Sequence, residues 1–201
     1  MIKAILFDFD GVLTIDKTGS QSIIKYIVSK TGIPFETFKN KYYKYNKGLL
    51  LGEYTHKEIW ANLCHDLNTD IDYNLLLDAF ENTLLDTDMI GLIEELKKSY
   101  KTGMITDNKR DRIEVVSELN RFDDIFDVIS ISADFHSRKD DRIIFEQTIT
   151  SLGVSPNECI FIDNTPKNLI VPKLMGMTTI LFDDENRNID EFKSTLFKCI
   201  L

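Results

Sequence analysis

The chain is poor in the residues that punctuate or cross-link a polypeptide: four prolines, nine glycines and three cysteines in 201 residues. Scarce Pro and Gly exclude collagen-like and low-complexity disordered chains, which are rich in them. Cysteine is too rare for a disulfide scaffold. Cys64, Cys159 and Cys199 form no CxxC pair and read as small buried hydrophobes of a reducing compartment. No run of about 18 apolar residues offers a membrane span. The N-terminal apolar run meets Asp8 and Asp10, which breaks any signal-peptide core. The chain is therefore expected to be soluble and cytoplasmic. Positive charge is also in deficit, with 24 Lys and Arg against 33 Asp and Glu, a net charge of −9. A field of that sign repels polyanions, so neither nucleic acid nor membrane is expected as a partner.

What is present has a strong rhythm. Five short apolar runs, residues 4–9, 100–105, 128–131, 159–162 and 178–182, each stop at polar or turn residues and read as buried parallel strands. Between the later runs lie helical spacings such as Ile113, Val116 and Leu119, or Ile144, Ile149 and Leu152. Strands alternating with helices imply right-handed crossovers and a three-layer, Rossmann-like α/β sheet. The first gap breaks the rhythm. Segments 22–29, 35–45, 55–66 and 73–83 are helical in pattern, punctuated by Pro34 and the 48–52 Gly-Leu-Leu-Leu-Gly stretch. Thr55 and Glu58 form a capping-box signature at the third of them. The expected organisation is a core of residues 1–15 and 85–201 with a helical cap, residues 16–84, inserted after the first strand.

In open parallel sheets, ligands bind beyond the carboxyl ends of the strands. The first run ends in Asp8 and Asp10, the second in Thr106, Asp107 and Asn108, the fourth in Asp163 and Asn164. Several acids at one rim repel one another unless a cation lies among them. An all-oxygen set without His or Cys suits a hard ion, Mg²⁺ before Ca²⁺ or Mn²⁺. A single Asp after a strand is an ordinary turn or N-cap residue. Asp8 differs, since it lies inside the apolar run, and on an extended chain Asp10 would share its face. Such a constellation suits phosphoryl transfer, where catalysis is positioning plus neutralisation of charge.

The same residues carry a family resemblance. Residues 7–14, Phe-Asp-Phe-Asp-Gly-Val-Leu-Thr, resemble the first motif of the haloacid dehalogenase (HAD) superfamily, Asp-x-Asp-Gly after the first strand. Thr106 is similar to the second motif, a Ser or Thr ending a strand. Arg138-Lys139-Asp140, followed by Ile144 and Phe145, resembles the third, a Lys at a helix start. Asp163-Asn164, with Asn168 beyond, resembles the fourth, an acidic pair ending a strand, and lies 24 residues after Lys139 as in the family.

The resemblance implies a Mg²⁺-dependent phosphatase acting on a small phosphorylated metabolite through an aspartyl-phosphate. Asp8 would be the nucleophile, Asp10 the acid and base, and Lys139 the counter-charge. Thr106, Asp107, Asn108 and Lys139 would bind the phosphoryl group, and Asp8, Asp10, Asp163 and Asn164 the metal. Two departures stand out: Asn164 replaces a common acid, and residues 139–142, Lys-Asp-Asp-Arg, lack the usual prolines, so Arg138 or Arg142 could share the counter-charge. Overall length, residues 52–55 and residues 165–168 resemble small sugar-phosphate phosphatases related to the N-terminal domain of epoxide hydrolases. Phosphomutase, 2-haloacid dehalogenase, and a catalytically weak binding or regulatory module are the alternatives within the fold. The chain is expected as a monomer or homodimer. The Lys/Tyr-rich stretch 39–47 reads as a helix with Phe38, Tyr42 and Tyr45 inward and its lysines solvated. Trp60 reads as packing, His65 as an ordinary surface or satisfied histidine, and Asp183, Asp184 and Glu185 as loop acids.

Overall fold

The first apolar run is buried on both faces: Ala4, Ile5, Leu6 and Phe7 have no exposed surface. A computed structural model describes residues 1–200, so Leu201, the last position of the expected core, lies outside the described residues. Strand β1 (Ala4–Phe7) is followed by four helices, α1 (Gly19–Thr31), α2 (Phe35–Leu50), α3 (His56–Leu67) and α4 (Asn74–Glu81). Helix α5 (Thr87–Lys97) then leads to β2 (Lys101–Thr106), α6 (Arg110–Asn120) and β3 (Val128–Ile131). Next come α7 (Ser132–Phe135), α8 (Arg142–Leu152), β4 (Cys159–Asp163), α9 (Ile170–Met175), β5 (Thr178–Leu181) and α10 (Ile189–Ile200).

All five strands are parallel, in the order β3-β2-β1-β4-β5. Side chains alternate across β1 with period two, and each face finds its own helices. Ile5 and Phe7 join Met89, Leu92, Ile113, Val116, Phe192 and Leu196, from α5, α6 and α10. Ala4 and Leu6 join Ile144, Phe145, Ile149 and Leu152, from α8. This is the three-layer α/β arrangement the alternation predicts. β1 pairs with β2 and β4 on either side, so the chain after Phe7, Thr106 and Asp163 emerges along one edge.

β1 is shorter than its apolar run. The Asp8 amide still donates to the Ile162 carbonyl (2.8 Å), but the amides of Val12, Leu13 and Thr14 all turn back to the Phe9 carbonyl. Gly11 takes the left-handed conformation this turn requires, with φ 83°. Asp8 and Asp10 therefore do not share one face of an extended strand as expected; the turn sends their side chains to different partners.

Helices α1–α4 pack around a separate apolar cluster that includes Ile23, Ile27, Phe38, Tyr42, Trp60 and Phe80. The chain enters and leaves this helical insert side by side: Ile15 donates to Leu84 and Asp86 donates to Leu13, at 3.0 and 2.8 Å. Arg187 secures the crossing by donating to the Gly11 and Val12 carbonyls and to Asp86. Thr55 and Glu58 do form the capping box of α3. α2, however, runs through Gly48 to Leu50 instead of ending before it. The Tyr54 ring occupies the place of a Gly48 Cβ, at 2.3 Å, so this glycine serves close packing and not a turn. Phe38 and Tyr42 are buried, whereas Tyr43 borders the cavity described below. Among the described residues the three cysteines are free, and no helix is long and apolar enough to cross a membrane.

Candidate active site

Three strand ends and one loop converge on a buried lysine. The Lys139 ammonium, three residues before α8, lies 2.6 Å from Asp8 Oδ1 and 2.6 Å from Asp163 Oδ2. Lys139 is 1 % exposed, Asp8 6 % and Asp163 0 %, so these charges face each other with little water between them. Asp163 also accepts from the Thr165 amide and from Asn168 Nδ2. Burial opposes the charged form of Lys139, but Asp8 and then Asp163 outweigh it and hold the ammonium above its ordinary range. Burial pushes the Asp8 carboxyl well up; Lys139 pulls it back, while Asp163 and Asp10 add to the rise. One lysine is thus shared by two carboxylates, an imbalance that a further cation would relieve.

The loop holding Lys139 is fixed by Asp107. Its carboxylate accepts from the Lys139 amide (2.9 Å) and from Arg138 (3.0 Å). Arg138 is thereby engaged, and Arg142 pairs with Glu146 on the surface, which leaves Lys139 as the lysine at the acids. Thr106 is 1 % exposed and borders the cavity. Asn108 is completely buried beneath it, where its Nδ2 donates to Asp10 Oδ2 (2.7 Å) and Thr106 Oγ1 (3.2 Å). The structure thus gives Asp107 and Asn108 positioning contacts within the protein.

Asp10 has a partner outside every motif of the sequence. Both its oxygens meet the fully buried Arg112 guanidinium from α6, at 3.0 and 3.1 Å. Arg112 also donates to Asn108 Oδ1 (3.2 Å). A Cβ on Gly19 would lie 2.2 Å from Arg112 Nη1, so only glycine lets α1 begin over this pair. Four residues before Val116, Arg112 falls on the buried face of α6; that periodicity was the available signal. Beside it Lys109, 3 % exposed, donates to Ser20 Oγ of α1 (2.7 Å), which donates in turn to Asn46 Oδ1 of α2 (2.9 Å). Burial, and then Arg112, push the Lys109 pKa down to about 7. A further link from the insert to α6 is His56, held at 2.8 Å by Asp111 and at 2.7 Å by the Tyr42 hydroxyl. Burial lowers the His56 pKa, favouring the neutral imidazole.

A cavity of about 260 Å³ joins these groups, bordered by Asp8, Asp10, Thr106 and Lys139 from the sheet side and by Ser20 and Asn46 from the insert. Asn164 also borders it, packed on Gly11, with its Nδ2 donating to Asp184 (2.8 Å). Among the described residues no three His, Cys, Asp or Glu side chains form a ready metal cage. The Asp8 carboxylate and the Asn164 amide border the cavity, and the Asp163 carboxylate lies behind Lys139, so the side chains gathered here offer oxygen donors only. That set fits Mg²⁺, which keeps several of its waters.

The sequence profile of the family described as "Haloacid dehalogenase-like hydrolase" matches residues 5–182. The chain belongs to this family. Phosphatase MT3486 of Mycobacterium tuberculosis is 25% identical over 205 residues, covering 94% of this chain and 91% of that protein. The HAD family enzyme bt-2542 of Bacteroides thetaiotaomicron, solved as a magnesium complex, superposes with a TM-score of 0.79 at 20% identity, covering 95% of this chain and 98% of that one. L-2-haloacid dehalogenase of Xanthobacter autotrophicus superposes at 0.65 with 19% identity, over 100% and 88% of the two chains. Likeness at that identity reports the shared fold and does not choose between the chemistries. This HAD-like chain is a hydrolase with phosphatase relatives, and the candidate site lies at the strand ends the fold presents.

Proposed function

We propose that this hydrolase is a Mg²⁺-dependent phosphatase of a small, sugar-phosphate-like metabolite, working through an aspartyl-phosphate on Asp8. The observation that carries the reading is the buried Asp8–Lys139–Asp163 group, with Lys139 2.6 Å from each acid. In the first step an Asp8 oxygen attacks phosphorus and the ester P–O bond breaks, while Asp10 supplies the proton to the departing oxygen. In the second, water attacks phosphorus, Asp10 takes its proton, and the Asp8 carboxylate is released with inorganic phosphate. Thr106 donates to a phosphoryl oxygen, and Lys139 balances the charge of Asp8 and phosphate. Asp8, Asp163, the Asn164 amide oxygen and the Asp10 carbonyl would hold Mg²⁺, which supplies charge neutralisation at the equatorial oxygens. Asp107 and Asn108 act by setting the Lys139 loop and the Asp10 and Thr106 side chains.

Residues 16–84 serve, in this reading, as a cap over the core of 1–15 and 85–201, closing the cavity against water. Small substrates are favoured by so confined a space.

Phosphate release from a panel of phosphorylated metabolites in Mg²⁺ tests the proposal. Free phosphate that disappears in Asp8→Asn is the expected result. Isomerised product with no free phosphate would indicate a mutase, and halide release without added metal a dehalogenase. Parental activity in Asp8→Ala would remove Asp8 as nucleophile.

A further inference from the structure

Two buried lysines border the same cavity, and they are treated differently. Lys139 has two carboxylates at 2.6 Å. Lys109 is 3 % exposed, yet among the described residues its ammonium meets no carboxylate within ion-pair distance, and its hydrogen bond goes to the Ser20 hydroxyl. The adjacent Arg112 does not neutralise it, being a second cation already engaged with both oxygens of Asp10. Nor does the Tyr42 ring, whose centroid is 5.9 Å away, replace an anion. A buried cation without a counter-ion is costly to maintain, and the cost is recovered when an anion arrives.

We infer that Lys109, with Ser20 and Asn46, forms a subsite for a second anionic group of the substrate, a carboxylate or a second phosphate. The inference rests on the phosphatase reading and narrows it: the preferred substrates are phosphorylated acids or bisphosphates, not esters whose remainder is neutral. The geometry suits a small molecule. Lys109 stands three residues beyond Thr106, so their backbones are at most about 11 Å apart, and both border the cavity of about 260 Å³. One metabolite can place its transferred phosphate at Thr106 and Lys139 while its other end reaches Lys109. Lys109 belongs to the segment after β2, whereas Ser20 and Asn46 belong to α1 and α2, so an anion bound there bridges sheet domain and insert.

The experiment compares matched substrates in Mg²⁺: phosphoglycerate against glycerol phosphate for a carboxylate, and fructose bisphosphate against fructose phosphate for a second phosphate. The intact protein is expected to favour the doubly anionic member of at least one pair by about tenfold or more in kcat/KM. Which pair shows it identifies the anion. Lys109→Met should bring that ratio to about one, chiefly through KM, and Lys109→Arg should retain it. Ser20→Ala, which keeps the lysine, should lower the ratio partway and serves if Lys109→Met does not fold. Ratios near one for both pairs, or a ratio unchanged by Lys109→Met and Ser20→Ala, would overturn the subsite. Calorimetric titration of Asp8→Asn protein with the same four compounds separates this from the parent reading. If nothing is hydrolysed the phosphatase reading fails, while selective binding that Lys109→Met abolishes still upholds the subsite, and equal binding of both members rejects it.

Discussion

At one end of the cavity a lysine is paired with two acids; at the other, among the described residues, a lysine is hydrogen-bonded to a hydroxyl and paired with no carboxylate. The Lys139 end is assembled from strand ends of a rigid sheet, β1 and β4, and a loop tied down by Asp107. Its charges face one another in place, with one carboxylate more than the lysine balances. The Lys109 end is assembled across the junction of α6 and the helical insert, where Arg112 meets Asp10 and Lys109 meets Ser20. Its balance depends on both parts staying together and, in the proposed reading, on a ligand. In the proposed reading the sheet end carries the phosphoryl chemistry and the junction sets what can vary with substrate.

The largest test of this contrast is removal of the sheet-end groups. Asp8→Asn and Lys139→Met should each lower phosphate release by at least about a thousandfold, measured as kcat/KM on any accepted substrate, while leaving thermal unfolding cooperative. Loss of similar size from Lys109→Met on a singly anionic ester would erase the distinction between the two ends. Next comes the junction's buried ion pair. Arg112→Gln leaves the Asp10 carboxylate without its partner and should cost about 3–5 kcal/mol in denaturant unfolding; a change below about 1 kcal/mol would mean that water readily replaces the guanidinium.

Smaller is the effect at Asn164, where an amide stands beside the shared acids. Asn164→Asp should tighten Mg²⁺ by about tenfold in titration calorimetry, because a carboxylate would add charge to the donor set. Unchanged affinity would place the ion away from this residue. The least effect is a slope. The folded Lys109 holds its proton only up to about pH 7, whereas an unfolded lysine holds it to 10.5. Between those values the unfolded chain binds more protons, so this group makes stability rise with pH. Lys109→Met should flatten the rise between pH 7 and 10 by the difference of two chemical denaturation series; equal slopes would contradict the burial of the ammonium.

Legibility followed the same division. The five strands, their parallel arrangement and the residues at their ends were readable because a strand's two faces alternate residue by residue and its end is marked by the first polar groups. The insert was readable as helices, and the Thr55–Glu58 capping box was found in place because its two members are three residues apart. Gly48 was not legible in the same way, since a glycine within a helix looks like punctuation, whereas Tyr54 fills the place of its missing Cβ. A run extended to Phe9 puts Asp8 and Asp10 on one face, whereas the backbone turns back on the Phe9 carbonyl.

From the order of residues alone came the α/β alternation, the helical insert and the four strand-end and loop groups Asp8, Thr106, Lys139 and Asp163, all carried by local patterns or short motifs. Only the folded chain decided that Arg112 takes Asp10, 102 residues away, and that Lys109 meets Ser20, 89 residues away, with no carboxylate within ion-pair distance among the described residues. Periodicity says which face of a helix is buried; which charge waits there is settled by what packs against it, and that neighbour comes from a distant part of the chain.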